Sequence, residues 1–243
     1  MRAIVVVAAR PNFMKVKPIL DAFEGSEDEV LLVHTGQHYD AMMSDVFFAD
    51  LGIRQPDVHL GIGSGSHAKM TADTMVGFDE VLADWSTDWV VVVGDVNATV
   101  ASAVTAAKRG IKVAHVEAGL RSGDWAMPEE VNRVITDRVS DLLLAPSPDG
   151  VTNLIAEGVD PDAIHLVGNV MVDTLLVNAA RAKERNVAAG LGVGDRYALA
   201  TLHRPSNVDD PAVLEEMFGA LLEIAEDIPT VLPAHPRSRE ALE

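Results

Sequence analysis

Runs of consecutive apolar, largely β-branched residues recur along the chain and constrain its fold more than any other feature. AIVVVAA (residues 3–9), VLLVH (30–34) and WVVVV (89–93) show no polar alternation. A strand apolar on both sides must be covered on both sides, the condition of a parallel strand in an α/β sheet. Shorter runs at 58–60, 113–116, 142–145 and 164–167 read as further strands. Between them lie stretches of helical spacing at 13–23, 45–51 and 67–85, another ending at Arg109, and others at 128–139, 147–157 and 172–185. Ser147 followed by Pro148 is a good helix start, a capping hydroxyl ahead of a first-turn proline. The pattern predicts a doubly wound parallel sheet, a Rossmann-like domain, over residues 1–185.

The pattern then breaks. NVAAGLGVGD (186–195) is small and Gly-rich and reads as a linker. A strand at 197–201, a helix at 213–226 and a strand at 230–233 follow it. Two strands and one helix cannot cover a sheet on both faces. Residues 186–243 are therefore expected to be a linker and the opening of a second, incomplete α/β domain.

Charge excludes some partners. The 243 residues carry 37 Asp and Glu against 19 Lys and Arg, a formal charge of −18. Such a surface repels phosphate backbones, so no nucleic-acid partner is expected. Six Lys against 22 Asp is the balance of a surface suited to high salt, where screening relieves self-repulsion. The plainer alternative is an ordinary acidic cytoplasmic protein. Cysteine is absent, which removes disulfides, thiol nucleophiles and thiolate metal sites. No run approaches the roughly 20 apolar residues of a membrane span, and no membrane partner is expected. The N-terminus reads as the first strand of a cytoplasmic protein.

Ligands of parallel α/β sheets bind at the carboxyl ends of the strands. Arg10 and Lys15 follow the first strand, Gln37 and His38 the second, and Asp95 the WVVVV run. Glu117, then Glu129 and Arg133, follow the next strand, and His203 follows the first strand of the second unit. Each has a plain reading. Asp95 could cap the following helix. Glu129 and Glu130 suit the positive end of a helix dipole behind Pro128. His34 and His38 are separated by Gly36, which argues against a helical metal pair, and no metal site is expected. Gly61–Ser66 (GIGSGS) lacks phosphate-loop spacing and reads as a plain loop.

Taken together these residues say more. ARPNFMKVKP (9–18), TGQHYD (35–40), GD (94–95), HVEAGLRSGD (115–124), PEEVNR (128–133), GN (168–169) and HRPSN (203–207) run through the whole chain. The chain resembles the non-hydrolysing UDP-N-acetylglucosamine 2-epimerases, with all seven stretches in that family's order. The resemblance implies a glycosyltransferase-B fold, two Rossmann-like domains facing a cleft. It also implies interconversion of UDP-N-acetylglucosamine and UDP-N-acetylmannosamine without a cofactor. UDP is eliminated to leave 2-acetamidoglucal, then added back with carbon 2 reprotonated on the other face.

Under this resemblance Asp95, Glu117, Glu129 and His203 are catalytic. Arg10, Lys15, Arg133 and His235 bind the substrate, and Gln37 and His38 match a regulatory segment. Carboxylates crowded in one cleft repel, so at least one is expected to hold its proton more tightly than usual. That would let one serve as acid and another as base. Asn12 stands where many bacterial relatives have Glu, and HRPSN replaces the commoner HRREN, as in an archaeal-type branch.

Family members are about half as long again, and the part beyond residue 243 holds the diphosphate and ribose. The 243-residue chain alone is therefore expected to have little or no epimerase activity. A hydrolysing epimerase, a glycosyltransferase and a non-catalytic sugar-nucleotide-binding fragment are the alternatives. The resemblance leaves open a homodimer through the first domain.

Overall fold

The computed structural model describes residues 1–8, 10–36, 50–202 and 210–233. The chain divides into two compact units, Met1–Asn178 and Ala179–Glu243.

The first unit is built on β1 (Arg2–Val7), α1 (Arg10–Phe23), β2 (Glu29–Gly36), β3 (Val58–Ile62), α2 (His67–Asp84), β4 (Trp89–Val93) and α3 (Asn97–Lys108). It continues through β5 (Lys112–Val116), α4 (Pro128–Val139), β6 (Leu142–Ala145), α5 (Pro148–Ala156), a 3-10 turn at Pro161–Ala163, β7 (Ile164–Leu166) and the part of α6 (Val170–Arg185) up to Asn178. Seven parallel strands form one sheet in the order β3-β2-β1-β4-β5-β6-β7. The doubly wound α/β class expected from the apolar runs is the one observed.

The strands show why they needed apolar residues on both sides. Val5, Val7, Leu32, Val91, Val93, Ala114 and Val116 pack with Phe13, Val16 and Leu20 of α1. Their neighbours Ile4, Val6, Val33, Val90, Val92 and Val113 face the other way, onto Phe78 and Leu82 of α2 and Ala103 and Ala106 of α3. Alternate residues of one strand thus feed two separate cores. α3 is buried along most of its length, which its Ala-, Ser- and Thr-rich sequence NATVASAVTAAK permits. Thr174 of α6 donates to the Met14 carbonyl of α1 at 2.6 Å.

β1 has β2 on one side and β4 on the other. The strand order reverses there, and in open α/β sheets ligands bind at the carboxyl ends of the strands at such a point. β4 and β5 run in register, Val93 opposite Val116, so Gly94–Asp95 and Glu117 leave the sheet side by side.

Several boundaries differ from expectation. β1 ends at Val7, and α1 already begins at Arg10. Ser147 caps α5 through the Gly150 N–H, with Pro148 in the first turn, as anticipated. Of the helix expected over 45–51, only its last two residues are described. Residues 61–62 extend β3, and Ser66 caps α2, so the loop between them is shorter than GIGSGS.

The second unit contains α7 (Val187–Gly190), β8 (Ala198–Leu199), α8 (Pro211–Asp227) and β9 (Thr230–Val231). α7 lies inside the stretch expected to be irregular: alanines at 188 and 189 support one turn, and glycines follow it. β8 and β9 pair in parallel as a two-stranded sheet.

Candidate active site

Gly94 is the floor of the site. Its φ of +70° is a conformation that side-chain-bearing residues rarely adopt. A Cβ there would also lie 3.1 Å from Lys15 Nζ, 3.4 Å from Glu117 Oε2 and 3.5 Å from Asn12 Nδ2. Side chains from α1 and from the β5 exit therefore converge above one glycine. Lys15 and Glu117 form an ion pair, and both are largely buried. Asn12 donates to the Val93 carbonyl at 3.0 Å, which ties the start of α1 to the end of β4.

Glu117 itself has φ of +72°. A non-glycine residue in the left-handed region costs on the order of 1–3 kcal/mol and persists where its surroundings impose it. Here the N–H groups of Glu117 and Ala118 both donate to the Leu144 carbonyl, at 3.1 and 3.2 Å. The next turn is jammed. Gly119 sits against α5, and a Cβ on it would lie 2.3 Å from the Gly150 carbonyl oxygen.

Asp95 does not cap a helix. The cap of α3 is Val96, with no side-chain hydrogen bond. The Asp95 carboxylate instead receives Arg133 Nε at 2.9 Å and Nη2 at 2.6 Å, both on Oδ2. Arg133 Nη1 bonds Glu130 Oε2 at 2.8 Å. Asn132, from the same helix, donates to the Asp95 carbonyl at 2.8 Å. α4 thus holds Asp95 by both its side chain and its backbone.

Glu130 is buried and accepts from the N–H and hydroxyl of Ser122 and from the Gly123 N–H, each at 2.9 Å. Burial pushes its carboxyl up. The donors from Ser122 and Gly123 and the Arg133 fork outweigh burial and bring it down to about 2. Glu130 therefore latches the LRSGD turn onto α4, a more specific role than the dipole-suited acid read from the sequence.

Deeper still, His115 of β5 places Nδ1 2.6 Å from Asp137 Oδ1 and Nε2 2.9 Å from the Gly94 carbonyl. Asp137 Oδ2 accepts from the Gly119 N–H at 3.0 Å and contacts Arg121 at 2.8 Å. Burial would raise the Asp137 carboxyl, but the hydrogen bond from His115 and the His115 and Arg121 charges hold it below the ordinary range. Arg121 is forked onto Glu157, at 2.7 Å from each nitrogen.

Five of the expected site residues, Lys15, Asp95, Glu117, Glu129 and Arg133, are thus described, all within the first unit. Lys15 and Glu117 come together, and Asp95 and Arg133 come together on the neighbouring strand exit. Within these pairs each carboxylate has its own cation, Arg133 for Asp95 and Lys15 for Glu117. Glu129 is half-buried in the first turn of α4, with no side-chain bond to Asp95 or Glu117 among the described residues. Arg10 opens α1, but its side chain lies outside the described part of the chain, as do Gln37, His38, His203 and His235. Among the described residues no group of three or more His, Asp or Glu could hold a metal ion. No described helix is long and apolar enough to cross a membrane.

Sequence reasoning passed over Asn12, His115, Glu130 and Asp137 as site-building residues. His115 carried a signal. It is the one polar residue inside the apolar run VAHV, and a buried polar group needs a partner.

Residues 21–243 match the family model described as UDP-N-acetylglucosamine 2-epimerase. The chain is 42% identical over 247 residues to UDP-2,3-diacetamido-2,3-dideoxy-D-glucuronate 2-epimerase of Pseudomonas aeruginosa, which covers all of this chain and 69% of the relative. It is 40% identical to UDP-N-acetylglucosamine 2-epimerase of Methanocaldococcus jannaschii, again over the whole chain and 68% of the relative. The crystal structure of the M. jannaschii enzyme in complex with UDP-GlcNAc and UDP superposes with a TM-score of 0.88, covering 100% of this chain and 68% of that one. The chain belongs to the UDP-N-acetylglucosamine 2-epimerase family, and it spans about two thirds of the length of the relatives it matches.

Proposed function

We propose that this protein is a non-hydrolysing UDP-N-acetylglucosamine 2-epimerase. The carrying observation is the pair of carboxylates at adjacent strand exits, Asp95 and Glu117, each braced by a separate cation beside the sheet's switch point. A proton at carbon 2 of the sugar is not activated by a carbonyl. Its removal needs a base held in place and a leaving group that departs as the proton is taken.

In the forward half-reaction the C2–H bond and the C1–O bond to UDP break, and a C1–C2 double bond forms. In the return half-reaction UDP oxygen rejoins C1 and a proton reaches C2 from the opposite face. Two carboxylates on two strands suit the two faces. Both Arg133 bonds fall on Asp95 Oδ2, which leaves Oδ1 for the substrate among the described contacts. Lys15 can pass between Glu117 and the departing diphosphate, with Arg10 as a second cation. Glu129 and His203 complete the catalytic set in this reading, His235 adds a substrate contact, and Gln37 with His38 forms the regulatory segment.

A second substrate deserves a parallel trial. The P. aeruginosa relative, named for a diacetamido glucuronate, is as similar to this chain as the archaeal enzymes are.

The test is product analysis with each UDP-sugar over a long incubation. UDP-N-acetylmannosamine should form from UDP-N-acetylglucosamine without matching release of free UDP. Stoichiometric UDP with free N-acetylmannosamine would mean a hydrolysing enzyme. Epimerisation of the diacetamido glucuronate alone would move the substrate to that class. Asp95→Asn and Glu117→Gln should each remove turnover, by a factor of about 10² or more for a lost acid or base.

A further inference from the structure

Beneath the carboxylate pair lies a buried polar cluster that cannot reach a substrate. His115 and Asp137 are each about 1% exposed in their side chains. The partners of this cluster are specific. His115 Nε2 meets the carbonyl of Gly94, the residue before Asp95. Asp137 Oδ2 meets the N–H of Gly119, two residues after Glu117. The two side chains meet each other through Nδ1 and Oδ1 at 2.6 Å.

We propose that His115 and Asp137 are positioning residues for Asp95 and Glu117, a single buried brace that ties the exit of β4 to the turn after β5. The catalytic meaning of the brace rests on the 2-epimerase reading; the brace itself does not.

The geometry supports a brace over a mere core filler. Both ring nitrogens face acceptors, a carbonyl and a carboxylate, so the ring is held at both positions. The backbone groups held are those on which the carboxylates depend. Gly94, at φ of +70°, adopts the left-handed region freely, but Glu117, at +72°, does not, and such backbone in a non-glycine residue persists only where it is over-determined. Gly119 cannot yield, because the Gly150 carbonyl fills the space beside it. Arg121, pinned by Glu157, holds Asp137 from the far side, so the brace ends on a fixed point.

Two conservative substitutions separate the two ends. In His115→Gln the amide nitrogen falls near the position of Nε2 and keeps the bond to Gly94. In His115→Asn it falls near Nδ1 and keeps the bond to Asp137. Amide hydrogen exchange on the 243-residue chain reads the brace without any substrate. In His115→Asn, exchange over 94–98 should rise by about tenfold or more while β1 and the interior of β4 stay protected. His115→Gln should leave 94–98 close to wild type. Asp137→Asn, which keeps an acceptor for Gly119, should retain more protection at Gly119 than Asp137→Ala.

Turnover of UDP-N-acetylglucosamine should follow the same order. His115→Asn should lower kcat by about 10²-fold with KM little changed, as expected for a displacement near 1 Å at the reacting groups. His115→Gln should stay within about tenfold of wild type. Equal effects of the two substitutions, or exchange that rises evenly over the whole sheet, would overturn the proposal and make His115 a packing residue. If wild type turns over no UDP-sugar, kcat offers no comparison and the exchange pattern alone decides the brace.

Discussion

The two units of this chain use similar elements with different results. In residues 1–178 a seven-stranded parallel sheet carries helices on both faces and three buried apolar clusters. In residues 179–243 the described part offers two strands of two residues each and one long helix, and Leu214 is its only buried hydrophobic side chain. Leu199 and Leu222 are each 65% exposed there. The contrast shows what a site of this kind requires. Holding Glu117 at φ of +72° costs free energy, and a well-packed sheet can bear that cost where a two-stranded one cannot. The polar groups that shape the site, Glu130, His115 and Asp137, all lie within the first unit, where burial strengthens their hydrogen bonds.

The sharpest way to break this contrast is a pair of truncations. Phe78 is fully buried between α2 and the sheet, and Phe78→Ala should cost about 3–5 kcal/mol of first-unit stability. Leu214→Ala, in the thinly covered unit, should cost about 2 kcal/mol or less, the low end for a leucine truncation. Denaturant unfolding with exchange readout for each unit checks both. Equal costs would mean that the second unit is as well packed as the first.

A smaller effect is expected at Glu130. Glu130→Gln should cost about 1–3 kcal/mol near neutral pH, through loss of a charge-assisted acceptor for four donors. Its pH dependence has a definite sign. The folded-state value is about 2, below the ordinary carboxylate value of 4.5, so this contribution is fully present above about pH 4.5 and is lost as pH falls toward 2. Melting curves between pH 6 and 2.5 should therefore fall more steeply for wild type than for Glu130→Gln; parallel curves would contradict the assignment.

The smallest effect belongs to the surface. The exposed Lys69–Asp73 pair should be worth about 0.5 kcal/mol or less, and less again in high salt. With a formal charge of −18, the whole chain should melt at a higher temperature as salt relieves its self-repulsion. A melting temperature that falls with salt would count against a high-salt surface.

Much of the fold was legible because burial on two faces leaves an unbroken apolar run. AIVVVAA and WVVVV announce β1 and β4, and Ser147 with Pro148 announces α5. The site was legible mainly through motif residues, and their partners were hidden. That Arg133 holds Asp95, 38 residues away, follows from α4 lying beside the β4 exit, which no local spacing reveals. The capping role suggested for Asp95 failed because the turn after Gly94 makes Val96 the cap. The left-handed backbone at Glu117 was invisible, since glutamate ordinarily avoids it. α7 escaped because its alanines sit among glycines and no amphipathic repeat marks a single turn.

The central claim is that Asp95 and Glu117 exchange the proton at carbon 2 of a UDP-sugar. The most direct measurement is a long incubation of the chain at high concentration, sensitive to slow turnover, with UDP-N-acetylglucosamine in deuterium oxide, with the label located by NMR. The account predicts deuterium at C2 of both epimers, built up with UDP-N-acetylmannosamine and absent in Asp95→Asn and Glu117→Gln. Epimerisation that keeps the C2 proton, or label that builds up undiminished in both variants, would contradict it.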